Sequence, residues 1–301
     1  MKVSSSLRQK PWARALAHLG VLLCLAGAAA AQTTVHDDRG VSRRFDAPPQ
    51  RIVSLVPSLT ESLCALGGCA RLVGTDRYAN WPPAVAALPK LGGLDDAQIE
   101  RIVALRPDLV LAAPSARAVE RLEALGVVVV VMHTRSHADV RHNLQRLGRL
   151  LGDAAAADTL WQRIEAQMTE AAGRTPPALR GRTVYFEVES APFAAGPESF
   201  IGETLQRLGL RNIVPASLGP FPKLSPEFVV RAQPDVIIGE ARFVHAMLSR
   251  PGWGALRALQ QHQLCAFPTA DYELLVRPGP RMGDAALQLA DCLVSLGKDA
   301  R

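Results

Sequence analysis

Residues 100–112 read ERIVALRPDLVLA, and residues 227–239 read EFVVRAQPDVIIG. In each copy a Glu is followed seven positions later by Pro-Asp, and three aliphatic residues follow at once. Proline cannot continue a helix and drives the residue before it out of the helical region. Each copy therefore reads as a helix end, a Pro-Asp break and a buried strand. A second pair has the same order: TESLCALG at 60–67 and GETLQRLG at 202–209, with Glu61 to Gly67 spaced as Glu203 to Gly209. Two matched pairs predict two lobes of similar build, and a two-lobed protein works at the cleft between them. The matched Glu100 and Glu227, one per lobe, read as two contact points for a single partner.

The chain has 301 residues, room for two domains, and 48% apolar residues, enough to bury a core. Its first 31 residues read as a secretory signal peptide. Lys2, Arg8, Lys10 and Arg14 form a basic start, an apolar run follows to about Ala28, and Ala29 to Ala31 offer small residues for cleavage. The apolar run is short for a membrane span. Lipid attachment at Cys24 is the alternative, with a bulky Leu23 before it. The leader holds four of the 34 basic residues and no acid, so the rest has 30 against 28, a charge of +2. The basic excess is thus mainly a targeting effect, and no nucleic-acid partner is expected. Four cysteines remain: Cys64, Cys69, Cys265 and Cys292. Export permits the pairs Cys64–Cys69 and Cys265–Cys292, with buried free thiols the equal alternative, and the spacing is not that of a zinc site.

Strands are predicted at 51–56, 71–74, 108–112, 127–132, 183–188 and 264–267, with helices between them, ending in a helix over 282–296. Apolar strands alternating with helices predict an α/β fold: two Rossmann-like lobes with parallel sheets, joined by one long α-helix. The expected divisions are signal peptide 1–31, N-terminal lobe 32–152, connecting helix 153–175 capped by Asp153, and C-terminal lobe 176–301. Ser225-Pro226-Glu227 is a strong helix start.

Six stretches carry a resemblance: RIVSLVPSLTESLCALG at 51–67, LVGTDRYANWPP at 72–83, LPKLGG at 88–93, IERIVALRPDLVLA at 99–112, PDVIIG at 234–239 and RPGPR at 277–281. In this order they resemble the periplasmic substrate-binding proteins of ABC importers whose lobes are joined by a long helix, above all the cobalamin-binding ones. The resemblance implies a monomeric periplasmic receptor that takes a corrinoid between its lobes and delivers it to an inner-membrane permease and its ATPase. It implies that Glu100 and Glu227 meet arginines of the permease, a geometry in which a carboxylate accepts bidentate bonds. It also places Tyr78, Trp81, Phe193, Phe221 and Asp271 at or beside ligand contacts. Some relatives bridge the last helix to the helix ending in the second lobe's Leu-Gly turn. Here Cys292 matches one partner but Leu208 stands at the other, so that bridge is expected to be absent.

The loops after strand ends are expected to line the cleft. They carry Tyr78, Trp81, Phe193, Phe221 and Asp271-Tyr272, five aromatics in a chain with only 5% aromatic residues. That concentration predicts a large flat ligand held by stacking. Trp253 is assigned to packing. Haem is the alternative, with Tyr78, Tyr272 or His133 as axial ligand. A ferric siderophore would use cations such as Arg77, Lys223, Arg242, Arg277 and Arg281. His137 and His142 are read as surface histidines, no bare-metal site is expected, and no resident cofactor is expected. No G-x-S-x-G, H-E-x-x-H or phosphate-loop motif is present and Ser58 has no evident His-acid partner, so the chain is read as non-catalytic. A rigid helix between the lobes predicts only small closure on binding.

Overall fold

The computed structural model describes residues 32–190 and 192–299. The expected leader lies outside them. Among the described residues no helix is long and apolar enough to cross a membrane.

A hairpin, β1 (Thr33–His36) and β2 (Ser42–Phe45), opens the chain. The first lobe then runs β3 (Ile52–Ser54), α1 (Pro57–Ala65), β4 (Leu72–Thr75), α2 (Ile99–Ala104), β5 (Leu109–Ala112), α3 (Val119–Ala124) and β6 (Val129–Val131). Its four strands are parallel in the order β4-β3-β5-β6. Two helices follow, α4 (His137–Leu151) and α5 (Ala154–Arg174). The second lobe contains β7 (Thr183–Glu189), β8 (Phe193–Ala194), α6 (Phe200–Arg207), β9 (Arg211–Asn212), α7 (Pro226–Ala232), β10 (Val236–Glu240), α8 (Ala241–Met247), α9 (Arg257–Gln260), β11 (Leu264–Phe267), α10 (Thr269–Leu275) and α11 (Met282–Asp299). Its sheet runs β11-β10-β7, with β9 parallel to β7. The short β8 pairs with β7 antiparallel, a departure from the all-parallel expectation.

The repeated stretch has a matched geometry in both lobes. Arg106 and Gln233, each just before Pro-Asp, sit in the left-handed region with φ of 47° and 46°. Each turns the chain out of its helix, and the proline after it prevents a restart. The aspartate then locks the next strand onto its neighbour. The Asp108 carboxylate accepts from the N–H groups of Gln50 (2.7 Å) and Arg51 (3.0 Å), just ahead of β3. The Asp235 carboxylate accepts from the N–H (2.8 Å) and hydroxyl (2.7 Å) of Thr183, at the start of β7. The backbone N–H of each aspartate returns a bond of 2.9 Å, to Arg51 O and Thr183 O respectively.

Both sheets are covered on both faces. One apolar cluster backs β5 and β6 with α2 and α3, and another backs β7 and β10 with Trp253, Met247 and Val229. The other two faces share one continuous core that passes through the connector, including Leu144, Leu147, Ile164, Met168, Leu289 and Leu293. Burying each such aliphatic is worth roughly 1.5–3 kcal/mol, against about 0.2–1 kcal/mol for a surface pair such as Arg207–Glu165. The apolar seam, not surface charge, therefore fixes the connector to both lobes. A Cβ on Gly283 would come within 2.3 Å of Gln167 Oε1, which shows how closely α11 approaches α5.

Both cysteine pairs are disulfides, Cys64–Cys69 and Cys265–Cys292. Leu208 is buried in the core, and Cys265 on β11 is the partner of Cys292 on α11.

Candidate ligand cleft

The segments that follow the strand ends of the two lobes meet, with Asn80 Nδ2 donating to Glu273 Oε2 (2.8 Å) and Arg277 Nη2 to Tyr78 O (3.1 Å). On the first lobe, β4 ends at Thr75 and Asp76 opens the loop. Asp76 is buried, and its Oδ1 accepts from the N–H groups of Tyr78 (2.7 Å) and Ala79 (3.1 Å), folding 76–79 into a tight turn. Lys90 Nζ fastens the same loop by donating to Thr75 Oγ1 (3.0 Å), Ala79 O (2.6 Å) and Val85 O (3.1 Å). The turn presents Tyr78 outward, 62% exposed, beside Gly93 and the Arg77–Asp96 ion pair. No hydrogen bond engages the Tyr78 phenol.

The second lobe's wall is a short ladder between 192–196 and 220–224. Ala194 N–H bonds Pro222 O (2.9 Å), Gly196 N–H bonds Pro220 O (2.8 Å) and Leu224 N–H bonds Pro192 O (3.1 Å). Any side chain at Gly196 would strike the carbonyl oxygen of Gly219 at 2.3 Å, so only glycine allows the two strands this close. Phe193 is half-buried on β8. Phe221 is 37% exposed and leans on Phe200, ring centres 6.0 Å apart.

Asp271 and Tyr272 lie on α10, not on a loop. Asp271 is exposed. Tyr272 is buried, its ring stacked on Phe186, and its phenol donates to Glu187 O (2.8 Å) and Val188 O (2.9 Å). Burial, with the nearby Glu240, Glu187 and Glu189 charges, pushes that phenol's pKa well up. Tyr272 is thus part of the floor of a recess of about 530 Å3 that Glu189, Glu240, Arg242, Phe243 and Glu273 also line. Its phenol oxygen is not free to ligate haem.

A buried ionic cluster joins the lobes at the cleft. Glu61 on α1 is 1% exposed and takes Arg277 Nη1 (3.0 Å), Arg281 Nε (2.8 Å) and Arg281 Nη2 (2.8 Å). Arg277 also donates to Asn80 Oδ1 (2.6 Å), Tyr78 O (3.1 Å) and Glu273 Oε2 (2.8 Å), while Arg281 stacks on Trp81 at 4.5 Å. Arg277 and Arg281, two of the cations considered as anion contacts, are therefore already occupied. The sequence reading missed Glu61, although a lone acid inside an apolar helix signals a buried partner. The matched acid Glu203, on α6, accepts from His137 N–H (2.6 Å) across to the start of α4. His137 is not a surface histidine. Its Nε2 bonds Phe200 O (3.0 Å) and Thr204 Oγ1 (2.9 Å), and burial lowers its pKa.

Glu100 and Glu227 stand in the first turns of α2 and α7, both exposed. Each helix ends where the next strand begins, so each first turn lies toward the strand C-terminal edge, on the cleft side of its lobe.

Asp76 makes a pH prediction. Burial pushes its carboxyl up to about 6, against the Tyr78 and Ala79 N–H bonds and the Lys90 and Arg277 charges. Its Oδ2 is buried without a hydrogen-bond partner. The folded protein holds this proton more tightly than the unfolded chain, whose carboxyl titrates near 3.8. Stability is therefore expected to fall as pH rises from about 4 to 6 and to be level above that, by about 3 kcal/mol for this group. Denaturant unfolding of wild type and Asp76→Asn between pH 4 and 7 checks it. Equal pH slopes for the two proteins would refute the assignment.

Comparison with known proteins agrees with this architecture. Residues 52–270 match the family described as periplasmic binding protein. An ABC transporter substrate-binding lipoprotein of Bacillus subtilis is 26% identical over 271 residues, spanning 86% of this chain and 85% of that one. A vitamin B12-binding protein of Vibrio cholerae is 30% identical over 259 residues, 82% of this chain and 90% of that one. A crystal structure of a periplasmic haem-binding protein from Pseudomonas aeruginosa superposes with a TM-score of 0.70 at 27% identity, over 82% of this chain and 93% of that one.

Proposed function

The chain belongs to the periplasmic binding protein family, and from that premise we propose that it captures a corrinoid, cobalamin, between its lobes and delivers it to an inner-membrane ABC permease. Proteins of this group bind substrates for transport and are not enzymes, and what they bind is cargo rather than cofactor. On this reading the protein works in the periplasm as a monomer, exported by residues 1–31. Glu100 and Glu227 dock it on the permease, whose ATPase drives uptake.

One observation carries the choice of a large flat ligand. Tyr78 and Phe221 are the two exposed aromatics among the described residues, one on each lobe and both on cleft loops. Exposed apolar Leu94 and Leu218 stand on the same two loop systems, so both walls offer apolar surface facing one ligand. Trp81, Phe193 and Asp271 supply further contacts, Asp271 as an acceptor for amide groups on a corrin rim. Tyr272 supports the floor of the recess.

A second reading, haem, is favoured by the unpartnered phenol of Tyr78, free to act as an axial ligand. Calorimetric titration with cyanocobalamin and absorbance titration with haemin, each on wild type and Tyr78→Phe, separates them. Cyanocobalamin is expected to bind at ~1 µM or tighter, about −8 kcal/mol, and Tyr78→Phe to keep that affinity because stacking survives. No heat with cyanocobalamin, together with a haem absorbance band lost in Tyr78→Phe, would replace the corrinoid reading with haem.

A further inference from the structure

The Pro-rich 277–281 turn and the lone acid of α1 meet over 216 residues of chain. Three N–H bonds converge on the two oxygens of Glu61, and both arginines continue past it into the ligand wall. Arg277 holds the Tyr78 carbonyl and the Asn80 amide, and Asn80 Nδ2 also donates to Glu273 (2.8 Å). The Arg281 guanidinium carbon lies 4.5 Å over the centre of the Trp81 ring. A Cβ on Gly279 would sit 3.3 Å from Ser58 O, so the turn itself seats against the first turn of α1. The aromatic loop is therefore fixed from two sides: Asp76 and Lys90 hold its root, and second-lobe arginines hold its tip.

We propose that Glu61 is a positioning residue for ligand capture: by orienting Arg277 and Arg281 it sets where the second lobe holds Tyr78 and Trp81 of the first. This rests on the reading of the cleft as a site for a flat ligand. The physical reason lies in the difference between the two lobes' walls. Phe221 is carried on a ladder within its own lobe, whereas Tyr78 and Trp81 stand on a loop that protrudes toward the other lobe. A stacking ring is useful only when its plane is fixed before the ligand arrives, because ordering a loop on binding subtracts from affinity. Charge-assisted bonds from a planar guanidinium fix both direction and distance. Glu61 pairs with both arginines where they are desolvated, Glu273 supplies the second negative charge, and the remaining N–H groups face the loop.

The test uses the mature chain with two variants. Glu61→Gln removes the charge that orients the pair. Asn80→Ala, at an exposed position, cuts the side-chain link from Arg277 to the loop while leaving its bond to the Tyr78 carbonyl and leaving Glu61 paired, so it stays informative if Glu61→Gln fails to fold. Cyanocobalamin and haemin affinities are measured well below the unfolding temperature, with acrylamide quenching of tryptophan fluorescence. Of the tryptophans in the mature chain, Trp161 and Trp253 are buried, so quenching reports Trp81. Both variants are expected to bind the wild-type ligand at least tenfold and about threefold more weakly, respectively, and to show increased quenching. Unchanged affinity and quenching in a folded variant would overturn the proposal, even if thermal stability falls, because the cluster would then be structural only. Wild type that binds neither ligand would instead overturn the reading of the cleft.

Discussion

Glu100→Arg combined with Glu227→Arg is expected to abolish uptake in cells while leaving the dissociation constant for ligand within about twofold. The fold has little invested in either carboxylate. Glu100 stands 3.8 Å from Arg121, both largely exposed, a pair worth about 1 kcal/mol or less. Glu227 has no side-chain partner among the described residues. Each acid complements the start of a short helix, an effect of about 0.3–1 kcal/mol, so the reversed protein should remain folded. At a docking face the cost is much larger. Replacing an acid that meets an arginine by a second cation loses the bidentate bonds and adds like-charge repulsion, about 2–5 kcal/mol per site. Two sites together imply more than a hundredfold loss of productive docking. Uptake of labelled cobalamin in cells carrying only the variant, beside calorimetry on the purified protein, measures both quantities. Loss of binding along with uptake would put the two residues in the pocket.

The second large effect concerns the exposed rings. Tyr78→Ala and Phe221→Ala are each expected to weaken ligand binding by about 1.5 kcal/mol, and the double variant by about 3 kcal/mol, roughly 150-fold. The two stand on separate lobes, so their effects should add unless the ligand bridges them in a coupled way. Neither change should cost much stability, since Tyr78 and Phe221 are both exposed, the latter resting against Phe200. Leu125→Ala provides the control: it is equally exposed, but it ends α3 at the opposite edge of the sheet from the cleft. A ligand that bound one lobe alone would lose affinity from one ring and not from the other. That result would contradict capture between the lobes.

The duplicated build was legible because its cause is local. A left-handed residue, a proline and an aspartate that locks the neighbouring strand must be adjacent in sequence, so the pattern survives as a readable string at 106–108 and again at 233–235. The helix starts were legible for the same reason: Ser225 accepts from Phe228 N–H, and Asp153 from Ala156 N–H. What stays undecided in the string depends on distant partners. The burial of the Tyr272 phenol is not legible, because its acceptors are backbone carbonyls at 187 and 188, which leave no side-chain signature. The arginines of RPGPR read equally as cleft cations or as structural groups at a turn, and the string does not decide between them because their partner lies in another lobe. The cysteine pairing stayed open because spacing alone does not bring β11 against α11; the sheet order does.

The Glu61 cluster has a consequence for communication. The lobes are tied at the cleft by Glu61 and at the connector by Glu203, with a shared apolar seam between. A receptor fastened at two places has few global shapes with which to announce that it is loaded. The message available to a permease is then local: which rings are covered, what the ligand itself presents at the rim, and how the loop tip bearing Tyr78 and Asn80 is dressed. Empty and loaded forms would dock through the same two acids, and the distinction between them would be read at the mouth of the cleft rather than in the distance between the shoulders.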